Sequence, residues 1–194
     1  MCMYPGARGL DMEITKTLDV KDREEWRRWL DEHHDNEDEV WLVYYKKGSG
    51  KGRIPYNDAV EEALCFGWID STNKDMGDGE RMAQRFTPRK AKSGWSPMNK
   101  ERARRLIADG KMTQAGLDAL GDALEGEFTV AEDILVRLKE DEQTWEYYQG
   151  FPESYKRIRV GWVEGARNRP EEFEKRLRYF LKMTAKGKRF GMVQ

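Results

Sequence analysis

Val40-Trp41-Leu42-Val43-Tyr44-Tyr45 is a compact run of β-branched and aromatic residues, which is the composition of a buried β-strand. Upstream of this run, Asp22 stands three residues before Glu25, a capping pattern that predicts a helix to about residue 33. Downstream, apolar residues recur every three or four positions from Pro55 to Phe66, and this period predicts a second helix that Gly67 closes. The central strand therefore lies between two helices.

Two further strands are predicted at 68–72 and 82–87, joined as a β-hairpin around the glycine-containing segment 76–79. Two helix-then-strand units ahead of a hairpin favour an α+β fold with a small mixed or antiparallel sheet packed with helices. After Ser96-Pro97 the pattern is helical to the end, with further N-caps predicted at Thr113, Thr129 and Ser154. We expect a flexible N-terminal tail at 1–17, an α+β domain at 18–125, and a helical extension at 126–194 that packs on it.

Several classes of protein conflict with the composition. Residues 1–25 contain no apolar core for export, and no window approaches the ~20 apolar residues of a membrane span, so we expect a cytoplasmic protein without membrane insertion. The only cysteines are Cys2 and Cys65, and the adjacent His33 and His34 have no third ligand near them in sequence. Neither a metal nor a cofactor is predicted.

The net charge of −1 hides basic blocks. Residues 81–105 contain nine bases and one acid, and residues 155–194 contain twelve bases and four acids. One interpretation is that these blocks solvate exposed helix faces and attract the acidic segments, and the other is that they form a surface for an anion or a nucleic acid. Nucleic acid is the less favoured partner, because the sequence pI is about 6.2 and no nucleic-acid-binding signature is present.

Polar and aromatic residues between positions 46 and 99 form the candidate site. The predicted ligand-binding residues are Lys46, Lys47, Ser49, Trp68, Asp70, Arg85, Arg89, Trp95, Ser96 and Asn99. Two ammonium groups beside a glycine-rich loop suit an anion, guanidinium groups bind carboxylates or phosphates bidentately, and tryptophans stack on planar ligands. The structural alternatives are a core role for Trp68, an ion pair for Asp70, surface charge for the two lysines, and local capping for Ser96 and Asn99.

The same pieces carry a family resemblance. Phe66-Gly67-Trp68-Ile69-Asp70, Arg85-Phe86-Thr87-Pro88-Arg89 and Trp95-Ser96-Pro97-Met98-Asn99, followed by Tyr155-Lys156-Arg157 and the segment 162–167, resemble the YdeI/OmpD-associated family, also called bacteriocin-protection proteins. The resemblance extends from about Leu18 to Arg189. It implies an association with an outer-membrane protein and with resistance to antimicrobial peptides, and it implies no established catalytic residue or cofactor.

Three functions remain open at this point. The first is a binding module with a basic, Trp-lined cleft for a small anionic or planar ligand. The second is an enzyme that uses Asp70 as acid or base, with Lys46, Arg85 and Arg89 stabilising negative charge. The third is a nucleic-acid-binding protein. The sequence has no nucleophile elbow, phosphate loop, HExxH pair or dinucleotide fingerprint, and it identifies no partner protein.

Overall fold

The computed structural model describes residues 13–46, 49–90 and 93–191 and shows an α+β protein, as predicted. The chain forms two compact units. The first contains the described parts of residues 1–92 and 111–119, and the second those of residues 93–110 and 120–194. The division of the sequence into a tail at 1–17, an α+β domain at 18–125 and a helical extension at 126–194 stays a prediction.

A four-stranded mixed sheet lies in the first unit. Its strands are β1 (Thr17–Leu18), β2 (Val40–Tyr45), β3 (Trp68–Asp75) and β4 (Arg81–Pro88), in the order β1-β2-β4-β3. The β1 strand is parallel to β2, and the other pairs are antiparallel. The central strand has the predicted bounds, and the hairpin strands are longer than predicted. The β1 strand was not predicted, because two residues are too few to show an alternating pattern.

The described part of the chain contains eight helices. They are α1 (Arg23–His33), α2 (Tyr56–Cys65), α3 (Pro97–Ala108), α4 (Gln114–Leu120), α5 (Glu132–Lys139), α6 (Glu142–Gly150), α7 (Glu153–Glu164) and α8 (Pro170–Thr184). Asp22 caps α1 as predicted, accepting the Glu25 N–H at 2.9 Å. Ser96 caps α3 as predicted, accepting the Asn99 N–H at 3.2 Å.

One face of the sheet packs on α1 and α2. Trp26 of α1 is fully buried, its ring centroid lies 5.4 Å from that of Phe86, and its Nε1 donates to the Ala59 carbonyl of α2 at 3.0 Å. Asp70 lies directly opposite Phe86 in the sheet register and therefore shares this face. Arg85 precedes Phe86 and lies on the other face.

The α4 helix contacts the end of α2 in the first unit. Thr113 caps α4 as predicted, because its Oγ1 accepts the Gly116 N–H at 3.3 Å, and the same hydroxyl donates to the Cys65 carbonyl at 2.6 Å. A Cβ on Gly116 would lie 2.2 Å from that carbonyl oxygen. The two helices approach this closely only because position 116 has no side chain.

The second unit is helical and has its own core. Its fully or almost fully buried side chains include Ile134, Leu138, Tyr155, Val163, Leu177 and Phe180. The α3 helix packs on α7, where Glu101 accepts two hydrogen bonds from Arg157 at 2.7 and 2.8 Å. A Cβ on Gly161 would lie 2.6 Å from Pro97 Cγ, so a glycine lets the start of α3 approach α7.

Two predicted N-caps were wrong. The α5 helix begins after Ala131 instead of Thr129, because the neighbours of Thr129, Phe128 and Val130, pack against the core of the second unit. The α7 helix begins after Pro152, which places Ser154 inside the first turn. Neither helix has a side-chain cap, and acidic residues in their first turns complement the helix dipole instead.

Across residues 13–46, 49–90 and 93–191, no helix combines the length and the apolar character that crossing a membrane requires. The same residues contain no group of three His, Cys, Asp or Glu side chains placed to hold a metal ion. Cys65 is buried at the end of α2, and this burial raises the pKa of its thiol to about 11. The thiol is therefore protonated at neutral pH.

Candidate functional site

Lys46 and Ser49 lie in the loop after β2. The Lys46 Nζ contacts Asp75 Oδ2 at 3.0 Å, and its N–H donates to the Glu80 carbonyl at 2.9 Å, so the hairpin end holds this lysine. The Gly77 N–H and then Lys46 hold the pKa of Asp75 below its ordinary value. Ser49 donates its N–H to the Lys46 carbonyl, which removes one loop donor from an anion site. Lys47, also predicted to bind ligand, lies outside the described residues.

Arg85, on the face of the sheet opposite to Asp70, is held by an acid. Its Nε donates to Glu39 Oε2 at 2.6 Å. Glu39 also accepts from the Thr15 hydroxyl, and this bond together with Arg85 keeps the pKa of the carboxyl below its ordinary value. Lys46, Asp70 and Arg85 therefore do not meet: each basic side chain has a partner of its own, and Arg85 and Asp70 lie on opposite faces.

Trp68 belongs to the core of the first unit. It is 1% exposed, its Nε1 donates to the His34 carbonyl at 3.0 Å, and its ring stands edge-on to Trp29 at 5.7 Å. A ring with both its polar group and its surface engaged in this way has no face left for a planar ligand. The core interpretation of Trp68 is the one that its environment favours.

Asp70 and Arg89 are the predicted residues that the first unit brings together. Asp70 accepts from the Tyr56 hydroxyl at 2.6 Å. Burial lowers the pKa of Arg89, and the nearby Asp70 opposes this shift. The negative charge of Asp70 also acts on the buried hydroxyl of Tyr44. This hydroxyl has no hydrogen-bond partner among the described residues. The sequence analysis missed Tyr44, because it belongs to a run that reads as core.

Trp95, Ser96 and Asn99 lie in the second unit. Asn99 Oδ1 accepts from Arg102 at 2.8 Å, next to the cap that Ser96 forms. Trp95 lines a cavity of about 410 Å³ together with three bases (Lys100, Arg104, Arg157) and four acids (Glu101, Glu125, Glu127, Glu164). Its mixed charge favours neither an anion nor a cation.

A second cavity, of about 230 Å³, also includes the α3 start in its lining. We call it the Arg159 cavity. Its lining residues are Ser96, Pro97 and Met98 of the α3 start, Ile158, Arg159, Gly161, Trp162 and Gly165 of α7 and its C-terminus, and Arg176 of α8. Two arginines and no acid belong to this lining, and the positive end of a twelve-residue helix meets it.

Arg159 is unusual among the arginines of the second unit. It is 6% exposed, and within the described residues its Nε has no hydrogen-bond partner and no carboxylate lies within 4 Å of its guanidinium. The guanidinium carbon lies over the rings of Phe190 at 4.6 Å and Tyr155 at 5.7 Å. Burial lowers the pKa of Arg159, although an arginine remains charged at any physiological pH.

Arg176, in contrast, is held by neighbouring groups. Its Nε donates to Glu172 at 2.8 Å and its Nη1 to the Trp162 carbonyl at 2.8 Å, and its guanidinium carbon lies 5.0 Å from the Trp162 ring centroid. At the start of α3, Pro97 has no N–H, and the Met98 N–H lies in the first turn, where a helix offers no backbone acceptor of its own. The cavity thus has one uncompensated cation and one available backbone donor.

Of the residues in this lining, Ser96 was predicted as a site residue and Arg159 was not. A signal for Arg159 is present, because Tyr155, Arg159 and Val163 are four residues apart on α7 and hence lie on one face. Tyr155 and Val163 are fully buried, so an arginine between them is also buried. Such a buried cation can be recognised in a sequence as an arginine at a helix position where the repeat of three to four residues otherwise places apolar side chains.

Comparisons with known families match two segments of the chain. Residues 18–119, more than half of the chain, match a family described as "Domain of unknown function (DUF8412)". Residues 127–187 match the family described as "Bacteriocin-protection, YdeI or OmpD-Associated", which confirms the resemblance for this segment. No curated protein and no solved structure is similar to the chain. The Arg159 cavity takes the α3 start from the first segment and α7 and α8 from the second.

Proposed function

We propose a function from the geometry of the protein, which belongs to the DUF8412 family and carries a YdeI/OmpD-associated segment. Neither family description names a reaction. The protein is a binding module that holds a small anionic ligand in the Arg159 cavity. The proposal retains the predicted function, a binding module with a basic cleft that contains a tryptophan, but the cleft is the one at the start of α3. Ser96 is the predicted site residue that it retains.

One observation supports the proposal above the others: Arg159 is buried without a carboxylate. Removing a charged group from water costs several kcal/mol even after the protein relaxes. An arginine cannot lose its proton to avoid this cost, and ring contacts such as those with Phe190 and Tyr155 offset about 2 kcal/mol when desolvated. An anion in the cavity would complete the environment of Arg159.

The surroundings of Arg159 add to this argument. The α3 start contributes partial positive charge and the Met98 N–H, and an anion at such a helix start is favoured. Arg176 lines the same cavity, whereas the larger cavity around Trp95 is lined by four acids. The charged side chains that line the Arg159 cavity, two arginines and no acid, therefore favour an anion there.

The enzyme alternative has less support. It requires Lys46, Arg85 and Arg89 to stabilise negative charge near Asp70. Asp75 and Glu39 hold the first two of these side chains. Asp70 itself accepts a short hydrogen bond from Tyr56. We therefore assign no reaction to the Asp70 group.

The test compares Arg159→Met with Arg178→Met. Arg178 lies on α8 of the same unit, but its side chain is 71% exposed, so it controls for the loss of one positive charge. The free energy of unfolding is measured in chloride and in increasing sulfate, phosphate, acetate and benzoate. A ligand at 100 times its Kd adds about 2.7 kcal/mol to the parent protein.

We expect the parent and Arg178→Met to be stabilised alike by at least one of these anions, and Arg159→Met to lose that specific part. Excluded salts such as sulfate stabilise all three proteins somewhat, so the difference between the variants is the relevant quantity. Identical anion responses in all three proteins would contradict the proposed function.

A further inference from the structure

We infer that the ligand of the Arg159 cavity is a small organic carboxylate with an apolar body, an inference that rests on the proposed anion-binding function. The reasons are the net charge of the cavity, the chemistry of its remaining wall and its size. Each of these separates an apolar carboxylate from an inorganic anion or a nucleotide.

The charge balance favours a single negative charge. Two arginines line the cavity, but Arg176 already donates to Glu172 at 2.8 Å. Arg159 alone remains without a carboxylate among the described residues. One carboxylate matches one guanidinium in charge and in its paired oxygen geometry. A phosphate dianion would enter with a second charge, which only the partial positive charge of the α3 start would offset.

Apart from Ser96 and Arg176, the rest of the wall is apolar. Pro97, Met98, Ile158 and Trp162 surround the space next to Arg159, and Gly161 and Gly165 add helix backbone without side chains. A sulfate or phosphate has oxygens on all sides, so several of them would face carbon atoms without a donor, which is unfavourable. A carboxylate has its oxygens at one end, and its apolar body would gain free energy from contact with this wall.

The volume of about 230 Å³ limits the size of the ligand. Cavities for drug-sized ligands measure roughly 300 to 1,000 Å³. A nucleotide would therefore extend beyond this space, whereas an acid with one ring or a short branched chain fits within it. Benzoate has the charge, the apolar body and the size that the cavity indicates.

The test measures the affinities of benzoate, acetate, sulfate and neutral benzamide for the full chain by titration calorimetry. We expect benzoate to bind at least about tenfold more tightly than acetate, because its ring contacts the apolar wall. We expect benzamide and sulfate to bind much more weakly than benzoate. Arg159→Met should abolish the binding of benzoate.

A second pair of variants tests the site independently of Arg159. Met98 lines the cavity in the first turn of α3, where an acid is favourable for the helix. Met98→Glu places a carboxylate beside the cavity, so it should fold and lose at least about tenfold in benzoate affinity through competition for Arg159. Met98→Gln has a similar shape without the charge, so it should lose less benzoate affinity than Met98→Glu, and the difference between the two variants measures the effect of the charge.

The outcomes separate this inference from the function on which it rests. If acetate or sulfate binds as tightly as benzoate and still requires Arg159, the carboxylate inference is wrong and the anion-binding function stands. If none of the anions binds, or if benzoate binding survives in Arg159→Met, both are wrong. Equal losses in Met98→Glu and Met98→Gln would also contradict the inference, because charge would then have no role.

Discussion

Tyr44 and Arg159 each have a buried polar atom without a hydrogen-bond partner among the described residues, and they illustrate how differently such groups behave. The Tyr44 hydroxyl is neutral, so its burial without a partner costs about 1 to 3 kcal/mol at most. The Arg159 guanidinium carries a full charge, for which burial costs more. The hydroxyl is therefore compatible with a structural role, whereas the guanidinium points to a ligand.

This difference leads to a prediction for the first unit. Tyr44→Phe removes a hydroxyl that makes no hydrogen bond within the described residues, so the free energy of unfolding should stay the same or rise by about 1 kcal/mol. Tyr56→Phe is the matched control. It removes a hydroxyl that donates to Asp70 at 2.6 Å and should lower the free energy of unfolding by about 1 kcal/mol. Chemical denaturation measures both values, and a clear loss in Tyr44→Phe would show that its hydroxyl has a partner.

At the scale of elements, short distances between helices depend on glycines. The α4 helix approaches the end of α2 because Gly116 has no Cβ, and α3 approaches α7 because Gly161 has none. Both positions need glycine because a side chain would not fit. Their backbone conformation does not require glycine, since neither position has a φ in the left-handed region. The second of these approaches brings the α3 start to the Arg159 cavity.

Gly116→Ala tests the first approach. Its Cβ would lie 2.2 Å from the Cys65 carbonyl oxygen, so we expect the first unit to lose about 1 to 3 kcal/mol of stability. The control is Gly150→Ala at the end of α6, where a Cβ would meet nothing within 4 Å. There the substitution should be neutral or slightly stabilising, because alanine is the better helix former. Equal effects of the two substitutions in thermal unfolding would refute the close-approach account.

The elements could be predicted from the sequence where local chemistry determines them. The bounds of β2, the Asp22 and Ser96 caps and the glycine after α2 all follow from residues next to one another. The predicted caps at Thr129 and Ser154 failed because packing at 128–130 and Pro152 determine where those helices begin. In the candidate site, Lys46 and Arg85 were chosen for their charge, but their partners Asp75 and Glu39 are distant in sequence.

At the scale of the whole molecule, the Arg159 cavity joins two segments that match different families. The α3 start lies in the part of the chain that matches DUF8412, and α7 and α8 lie in the YdeI/OmpD-associated part. Neither segment alone contains the complete lining of the cavity. This long-range combination is the reason that sequence analysis identified Ser96 as a site residue and did not connect it with Arg159.

The central claim is that Arg159 binds a small anion, and the most direct measurement is the NMR signal of its own Nε–H group. The signal is assigned by its absence in Arg159→Met and followed while benzoate, and separately benzamide, is added to the parent protein. We predict that the Arg159 Nε–H signal shifts in a saturable manner with benzoate and does not shift with benzamide. An Arg159 Nε–H signal that stays in place while benzoate reaches high concentration would contradict the claim.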